Sequence, residues 1–213
     1  MHTPAPLGML VRLWRYPVKS LRPEVLERAE IGEHGLLGDR RAALFVRTPD
    51  VPRSGQTYRG KEHNLLHTVA SPGAARALAA QRHVDLEERS EGPYFDTRPV
   101  SLLMDRWLLE LSRMLGFAVD PQRFRPNLFV AGEPDFEAAE EELVGALLGI
   151  GTVRLRVVQP NLRCVTTTYD LDTGTSDPRV LRAIAQQRDN VMGVYCTVET
   201  PGVVRLGETL RRL

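Results

Sequence analysis

The apolar residues of this chain come in short runs closed off by turn-forming residues, and that pattern restricts the fold more than any other feature. LVRLW, YPVKS, VLERAEIG, GLLGDRRAALFV, NLFVAG, VRLRVVQ, RCVTTTY, VMGVYCTVE and GVVRLG read as strands, with Gly, Pro, Asn or Asp between most of them. VLERAEIG does not alternate cleanly, so its assignment rests on length and flanking glycine rather than on period. Strand-like pieces outnumber helical ones and have lengths suited to antiparallel pairing. The chain is therefore expected to be mainly β with helices (α+β), its strands forming a β-barrel or closed sheet that helices decorate.

Four helices are expected. Ser71-Pro72 supplies a cap and a first-turn proline ahead of AARALAAQ. Over residues 101–115, Leu103, Trp107, Leu111 and Leu115 recur every fourth position until Gly116 ends the run. Acidic residues crowd the front of residues 136–148, where they complement a helix dipole, and Gly149 stands where a left-handed cap belongs. The fourth begins after Asp177-Pro178 and carries Val180, Leu181, Ile184 and Ala185 toward Gln187. Residues 47–64 collect Pro, Gly, Ser and charge without periodicity, which predicts a loop or insertion and a boundary.

Composition excludes several classes. At 213 residues the chain can bury a core without disulfides, and 42% hydrophobic with 26% charged residues is ordinary globular usage. Lys+Arg 28 against Asp+Glu 27 leaves +1, no excess for releasing counterions from a duplex, so no nucleic-acid partner is expected. No apolar run approaches the roughly 20 residues a membrane helix needs, and Arg12 and Arg15 break any signal-like stretch. The expected setting is cytoplasmic, with no membrane partner. Cys164 and Cys196 are the two cysteines, too few for an all-Cys cluster.

Cys164 follows Arg163 at the head of a Thr-rich stretch. A guanidinium beside a thiol favours thiolate, the form that attacks electrophiles or ligates soft metals, although a small buried hydrophobe is the equally common fate of a free cysteine. Cys196, in VYCTVE, reads as core. Three clusters that follow turns can hold an anion: Lys19-Ser20, Asp39-Arg40-Arg41 and Arg123-Phe124-Arg125-Pro126-Asn127. Taken singly, each is more often solvated surface charge. There is no Walker loop, no GxGxxG and no GxSxG. His63 and His67 stand at i, i+4, but a zinc pair needs a third ligand, so the spacing reads as chance.

YPVKSL at 16–21, GLLGDR at 35–40, RFRPNLFVAG at 123–132 and the Arg-Cys, Thr-Thr and Asp-x-Asp-Thr-Gly elements within 163–174 occur in one order. Together with YCTVE and GVVRLGE they resemble the MOSC family, named for the C-terminal domain of molybdenum cofactor sulfurase, and its amidoxime-reducing-component branch. The resemblance implies a MOSC-type β-barrel core with a short inserted or N-terminal lobe, residues 1–40 rejoining 98–213 and leaving 41–97 as the lobe. It also implies a molybdenum cofactor (Mo-molybdopterin), without pyridoxal phosphate, and makes Cys164 the metal ligand. Lys19, Ser20 and Arg40 would anchor the cofactor phosphate, Arg125 and Asn127 would line the pterin, and Arg163 belongs to the same binding set. Leu162, where a polar residue is common, and Met104, where Ser or Thr is expected, depart from the pattern.

The activity implied is reduction of small N-hydroxylated compounds by oxygen-atom removal, with Asp170 or Asp172 relaying protons or else capping a turn. With no ferredoxin-like cysteine pattern, electrons would come from an external donor protein, for which the stretches around Arg53 and Arg59 are candidate contacts. Two other readings use the same thiolate or cleft: a sulfur carrier with a persulfide on Cys164, and a non-catalytic cofactor-binding protein.

Overall fold

The structure is a computed structural model and describes residues 4–213. In chain order its strands and helices are β1 (Ala5–Arg15), β2 (Glu24–Leu26), β3 (Arg28–Gly32), β4 (Gly35–Leu36), β5 (Ala43–Val46) and α1 (Pro72–Ala80). There follow β6 (Leu86–Arg89), β7 (Val100–Met104), α2 (Asp105–Leu115), β8 (Leu128–Gly132), β9 (Leu147–Ile150) and β10 (Val153–Leu162). The last are α3 (Pro178–Gln187), β11 (Val191–Thr200), β12 (Gly202–Arg205) and β13 (Thr209–Arg212).

The sheet runs β13-β9-β10-β11-β7-β8-β1 and closes on itself through β1 and β13, with Ala5 opposite Arg212 and Met9 opposite Thr209. This is the expected barrel with helices. Its neighbours pair antiparallel except β7 and β8, which are parallel and joined through α2, as a parallel pair requires a crossover. Along β10, Val153, Leu155 and Val157 are buried while Arg154 and Arg156 between them are not, the period-2 signature of a strand with one face inward. These residues join Leu10, Leu13, Leu102, Leu128, Val130, Leu148, Val194 and Cys196 in one buried cluster. A second cluster gathers Val18, Leu21, Ala42, Leu44, Val46, Tyr58, Leu66, Ala75, Ala79 and Leu86 around the β5–β6 pair and α1. Among the described residues no helix is long and apolar enough to cross a membrane.

Four local expectations are corrected, the first being YPVKS, which is not a strand but a turn after β1 in which the Leu21 amide donates to Val18 O (3.2 Å). Residues 136–148 do not form a helix: a 3-10 turn at Glu141–Leu143 leads into β9, and Gly149 lies within that strand rather than capping a helix. The acidic residues there do not face a helix dipole, and Glu140 instead is buried as the partner of Arg188 (2.8 Å). Residues 101–115 divide, because Val100–Met104 are all buried and form strand β7, and the helix begins at Asp105. RCVTTTY is not a strand. The Thr167 and Thr168 hydroxyls donate back to the carbonyls of Cys164 (3.0 Å) and Val165 (2.7 Å), closing a 3-10 turn over Val165–Thr168.

Candidate functional site

Residues from separate parts of the chain line one cleft of about 280 Å³. Lys19 and Ser20 come from the turn after β1, Arg40 from the turn after β4, Arg125 and Asn127 from the approach to β8, and Arg163 and Cys164 from just beyond β10. The three anion clusters picked out in the sequence therefore share one cavity with the thiol.

Three of these residues have left-handed backbone without being glycine: Ser20 (φ 70°), Arg40 (φ 48°) and Arg125 (φ 51°). Each costs roughly 1–3 kcal/mol, and such strain persists where its surroundings over-determine it, most often at functional sites. The surroundings here are identifiable. The Ser20 carbonyl accepts from His67 Nδ1 (2.7 Å), the Arg40 amide donates to Tyr16 O (2.7 Å), and the Arg125 amide donates to Gln122 O (3.0 Å).

Asp39 organises the positive side of the cleft. Its buried carboxylate accepts from the Tyr16 amide (2.7 Å) and Asn127 Nδ2 (3.2 Å) and pairs with Arg40. Burial opposes charge on Arg40, but the Asp39 carboxylate, by charge and hydrogen bond and together with the surrounding groups, outweighs it and leaves the guanidinium more firmly protonated than usual. The guanidinium carbons of Arg40 and Arg125 each lie 4.2 Å from the Tyr16 ring centroid, and burial pushes the Tyr16 phenol up to about 12, so the ring is a neutral cation-π platform. Arg125 loses more to desolvation than its neighbours return, bringing it down to about 10. Its Nη1 donates to Leu21 O (2.9 Å), whereas its buried Nη2 has no partner.

Ser101 and Asn127 complete the floor. Asn127 Oδ1 accepts from the Ser101 amide (3.1 Å) and hydroxyl (3.0 Å), fixing the Asn127 side chain against β7. Lys19 Nζ donates to Tyr94 O (3.1 Å) and pairs with Asp96 (2.6 Å). Arg163 turns inward: Nε donates to Met192 O (2.8 Å) and Nη1 to Phe124 O (2.9 Å), and burial lowers it to about 10. Beside it Cys164 is part-buried, with Sγ 3.2 Å from Thr166 Oγ1. Cys196 is wholly buried in β11, and burial pushes its thiol up to about 12, so it stays protonated and inert.

Of the other sequence candidates, Asp170, Asp172, Met104 and Arg53 lie outside the cleft, while Leu162 and Arg59 line it. Asp170 does not line the cleft; it accepts from the amides of Asp172 (3.1 Å) and Thr173 (2.9 Å) and so caps a turn, with Arg123 beside it (3.3 Å). Asp172 is exposed and pairs with Arg22. Met104 is wholly buried in the main core and takes no part in the cleft, while Leu162 lines it and is 67% exposed. Arg53 and Arg59 do not present a free basic patch, because both converge on Glu62 (3.1 Å each). His63 and His67 act separately: His63 accepts from the Leu65 amide (3.3 Å), and His67 holds Ser20.

Tyr16, Asp96 and Ser101 were not singled out as site residues by sequence; Asp39 entered only within an anion cluster, and His67 only as half of a chance pair. His67 lies 3.3 Å from Arg125 Nη1, and burial followed by that guanidinium lowers it to about 3, so the imidazole is neutral. One signal was readable in advance. Asp39 sits between Gly38 and Arg40, and a carboxylate at such a turn is buried only when paired.

The family model of the MOSC domain matches residues 89–211, more than half of the chain. Mitochondrial amidoxime reducing component 2 of Rattus norvegicus is 33% identical over 136 residues, covering 58% of this chain and 39% of its own length. Mitochondrial amidoxime-reducing component 1 of Homo sapiens is 30% identical over 129 residues, covering 54% and 37%. The chain thus spans about two fifths of the length of these relatives. Among solved structures, the YuaD protein of Bacillus subtilis superposes with a TM-score of 0.58 at 16% identity, covering 99% of this chain and 96% of that one, which shows a shared fold. With the closed barrel and the match over its strands β7 to β13, the chain belongs to the MOSC domain family.

Proposed function

We propose that the cleft holds a molybdenum cofactor and that the chain reduces small N-hydroxylated compounds with electrons from a separate donor protein. The observation that carries this reading is the convergence of Lys19, Ser20, Arg40, Arg125, Asn127 and Cys164 on one cavity. The donor set fits such a group: a soft sulfur ligand, cations suited to a phosphate, and an unpartnered buried Nη2 on Arg125 ready to donate. Cys164 would ligate the metal; Lys19, Ser20 and Arg40 would take the phosphate; Arg125 and Asn127 would line the pterin. When bound, the molybdenum centre supplies two-electron oxygen-atom transfer.

The protein's own part is electrostatic and positional. Tyr16 and Asp39 hold Arg40 and Arg125 side by side before any ligand arrives, so little reorganisation is needed on binding. Arg163, anchored to the Met192 and Phe124 carbonyls, fixes the backbone that presents Cys164. Exposed Leu162, which lines the cleft with Cys164, gives the substrate an apolar approach. Asp170 and Asp172, engaged in a turn and in an ion pair, are proposed as proton relays only through solvent. The two buried clusters support a barrel of residues 1–40 with 98–213 and a lobe of 41–97, with Val18 and Leu21 reaching into the lobe's cluster. Two free cysteines suit a reducing, cytoplasmic setting.

The test is metal and pterin content of protein made in a molybdenum-replete host, followed by hydroxylamine reduction with reduced viologen. Molybdenum bound in wild type and lost in Cys164→Ala, with turnover from viologen but not from nicotinamide alone, is the expected result. A preparation without metal that carries one extra sulfur on Cys164 would overturn it in favour of sulfur transfer.

A further inference from the structure

Within a cleft rich in cations stands one carboxylate that the cofactor reading does not use. Asp96 lies on the irregular segment between β6 and β7, and its Oδ1 is 2.6 Å from Lys19 Nζ. The Lys19 side chain is only 13% exposed while that of Asp96 is 70% exposed, so the lysine is the fixed partner and the aspartate the movable one. Lys19 has a second anchor that does not depend on Asp96, the Tyr94 carbonyl at 3.1 Å. The segment is tied down just before this point: the Gly92 amide donates to Arg41 O (3.1 Å) and the Tyr94 amide to Arg40 O (2.8 Å). Beyond it, Val100 is paired with Cys196 in the barrel. Residues 95–98 thus form a short span between two fixed ends, with the carboxylate near its middle. The field on that carboxylate comes from the whole nest: the protein atoms on its cleft side displace some water and oppose its charge, but Lys19 and then Arg125 and Arg40 hold it below the usual carboxylate range.

We infer that Asp96 is an internal competitor for the anion nest, occupying the Lys19 ammonium until an incoming phosphate group displaces it. The inference rests on the proposed reading of Lys19 as a phosphate ligand and adds the residue that sets the threshold for entry. The exchange conserves ion pairs, since Lys19 trades a carboxylate for a phosphate oxygen while Asp96 gains water. A dianionic phosphate, able also to engage Arg40, has the advantage in that trade. With Asp39 already holding Arg40, Asp96 supplies a second counterion to the empty nest, at Lys19.

The experiment is calorimetric titration of inorganic phosphate into the full chain, made in a host unable to assemble molybdenum cofactor, at pH 8 and low salt. Asp96→Asn, which keeps the size and removes the charge, is expected to bind phosphate about tenfold more tightly than wild type, and Asp96→Ala likewise, as loss of a competing charge-assisted contact implies. In Lys19→Gln the gain from Asp96→Asn should vanish, because the competition runs through Lys19. Unchanged or weaker binding in Asp96→Asn, or a gain that survives in Lys19→Gln, overturns the inference while leaving the nest intact. Absence of phosphate binding in wild type and both Asp96 variants overturns the nest itself, and the inference with it.

Discussion

Arg163, just beyond β10, is tied to Met192 on the neighbouring strand β11, the guanidinium Nε donating to the Met192 carbonyl at 2.8 Å from a position next to Cys164. The same side chain reaches the Phe124 carbonyl at 2.9 Å. Lysine keeps the charge but cannot hold two carbonyls in a fork. Arg163→Lys is expected to lose about 1–3 kcal/mol in urea unfolding and to retain less cofactor than wild type. Wild-type stability and metal content in that variant would show that the charge alone matters.

Lys19 and Arg40 are expected to respond differently. Arg40 neutralises the wholly buried side chain of Asp39, so Arg40→Ala leaves an unpaired buried carboxylate and should destabilise by about 3–5 kcal/mol. Lys19 pairs with an exposed carboxylate, and Lys19→Gln should fold within about 1 kcal/mol of wild type while losing affinity for phosphate. Thermal unfolding and phosphate titration together separate the two. Equal stability loss in both would contradict the assignment of Asp39 as the organising group.

Stability should fall on acidification from about pH 6.5, before the carboxylates titrate. His67 is held at about 3 against 6.5 for a free imidazole. Between those values the unfolded chain binds a proton that the folded chain refuses, so folding weakens as pH drops, with a slope approaching roughly 1.4 kcal/mol per pH unit. His63, also lowered by burial, acts in the same direction. Urea midpoints measured from pH 7 to 4.5 should show this slope reduced in His67→Asn, whatever that variant's stability at pH 8. An identical slope would mean that His67 titrates alike in the folded and the unfolded chain.

The two cysteines should separate cleanly. Cys164→Ala is expected to abolish metal retention and reductase activity while leaving unfolding nearly unchanged, since its side chain is part-buried with one polar neighbour. Cys196→Ala removes a wholly buried group opposite Val157 and Val100, and should cost about 1 kcal/mol of stability while sparing activity. Equal loss of activity in both variants would point to a shared redox pair.

What could be read in advance follows the range of the interactions. Strands β8, β10, β11 and β12 were legible because length and flanking turn residues are local features. The helix after Ser71-Pro72 was legible for the same reason, the Ser71 hydroxyl accepting from the Ala74 amide at 3.2 Å. Residues 136–148 misled because acidic crowding was read as a dipole effect, whereas Glu140 is recruited by Arg188, 48 residues away. The Thr-rich stretch misled because β-branched composition favours strands, yet its hydroxyls found carbonyls three residues back. In the cleft, Lys19, Arg40, Arg125 and Cys164 stood out by chemical type. Tyr16, Asp39 and Ser101 did not, because their roles exist only once segments up to 110 residues apart have met.

The pairing of β1 with β13 gives the barrel a seam between residues that lie at opposite ends of the described chain. During synthesis β1 emerges first and β13 last, so the cylinder has an open edge until residue 212 has left the ribosome. A nascent chain in that interval exposes the β1 backbone and inner faces such as Leu10 and Leu13, both wholly buried at the end. Closure is then a late, long-range event, and a slow one, since the loop it closes spans nearly all of the described residues. The cleft is spared that delay: on β1, β13 pairs only with Ala5–Met9, whereas the end of β1 that leads into the turn of Lys19 and Ser20 is held by β2 and β8.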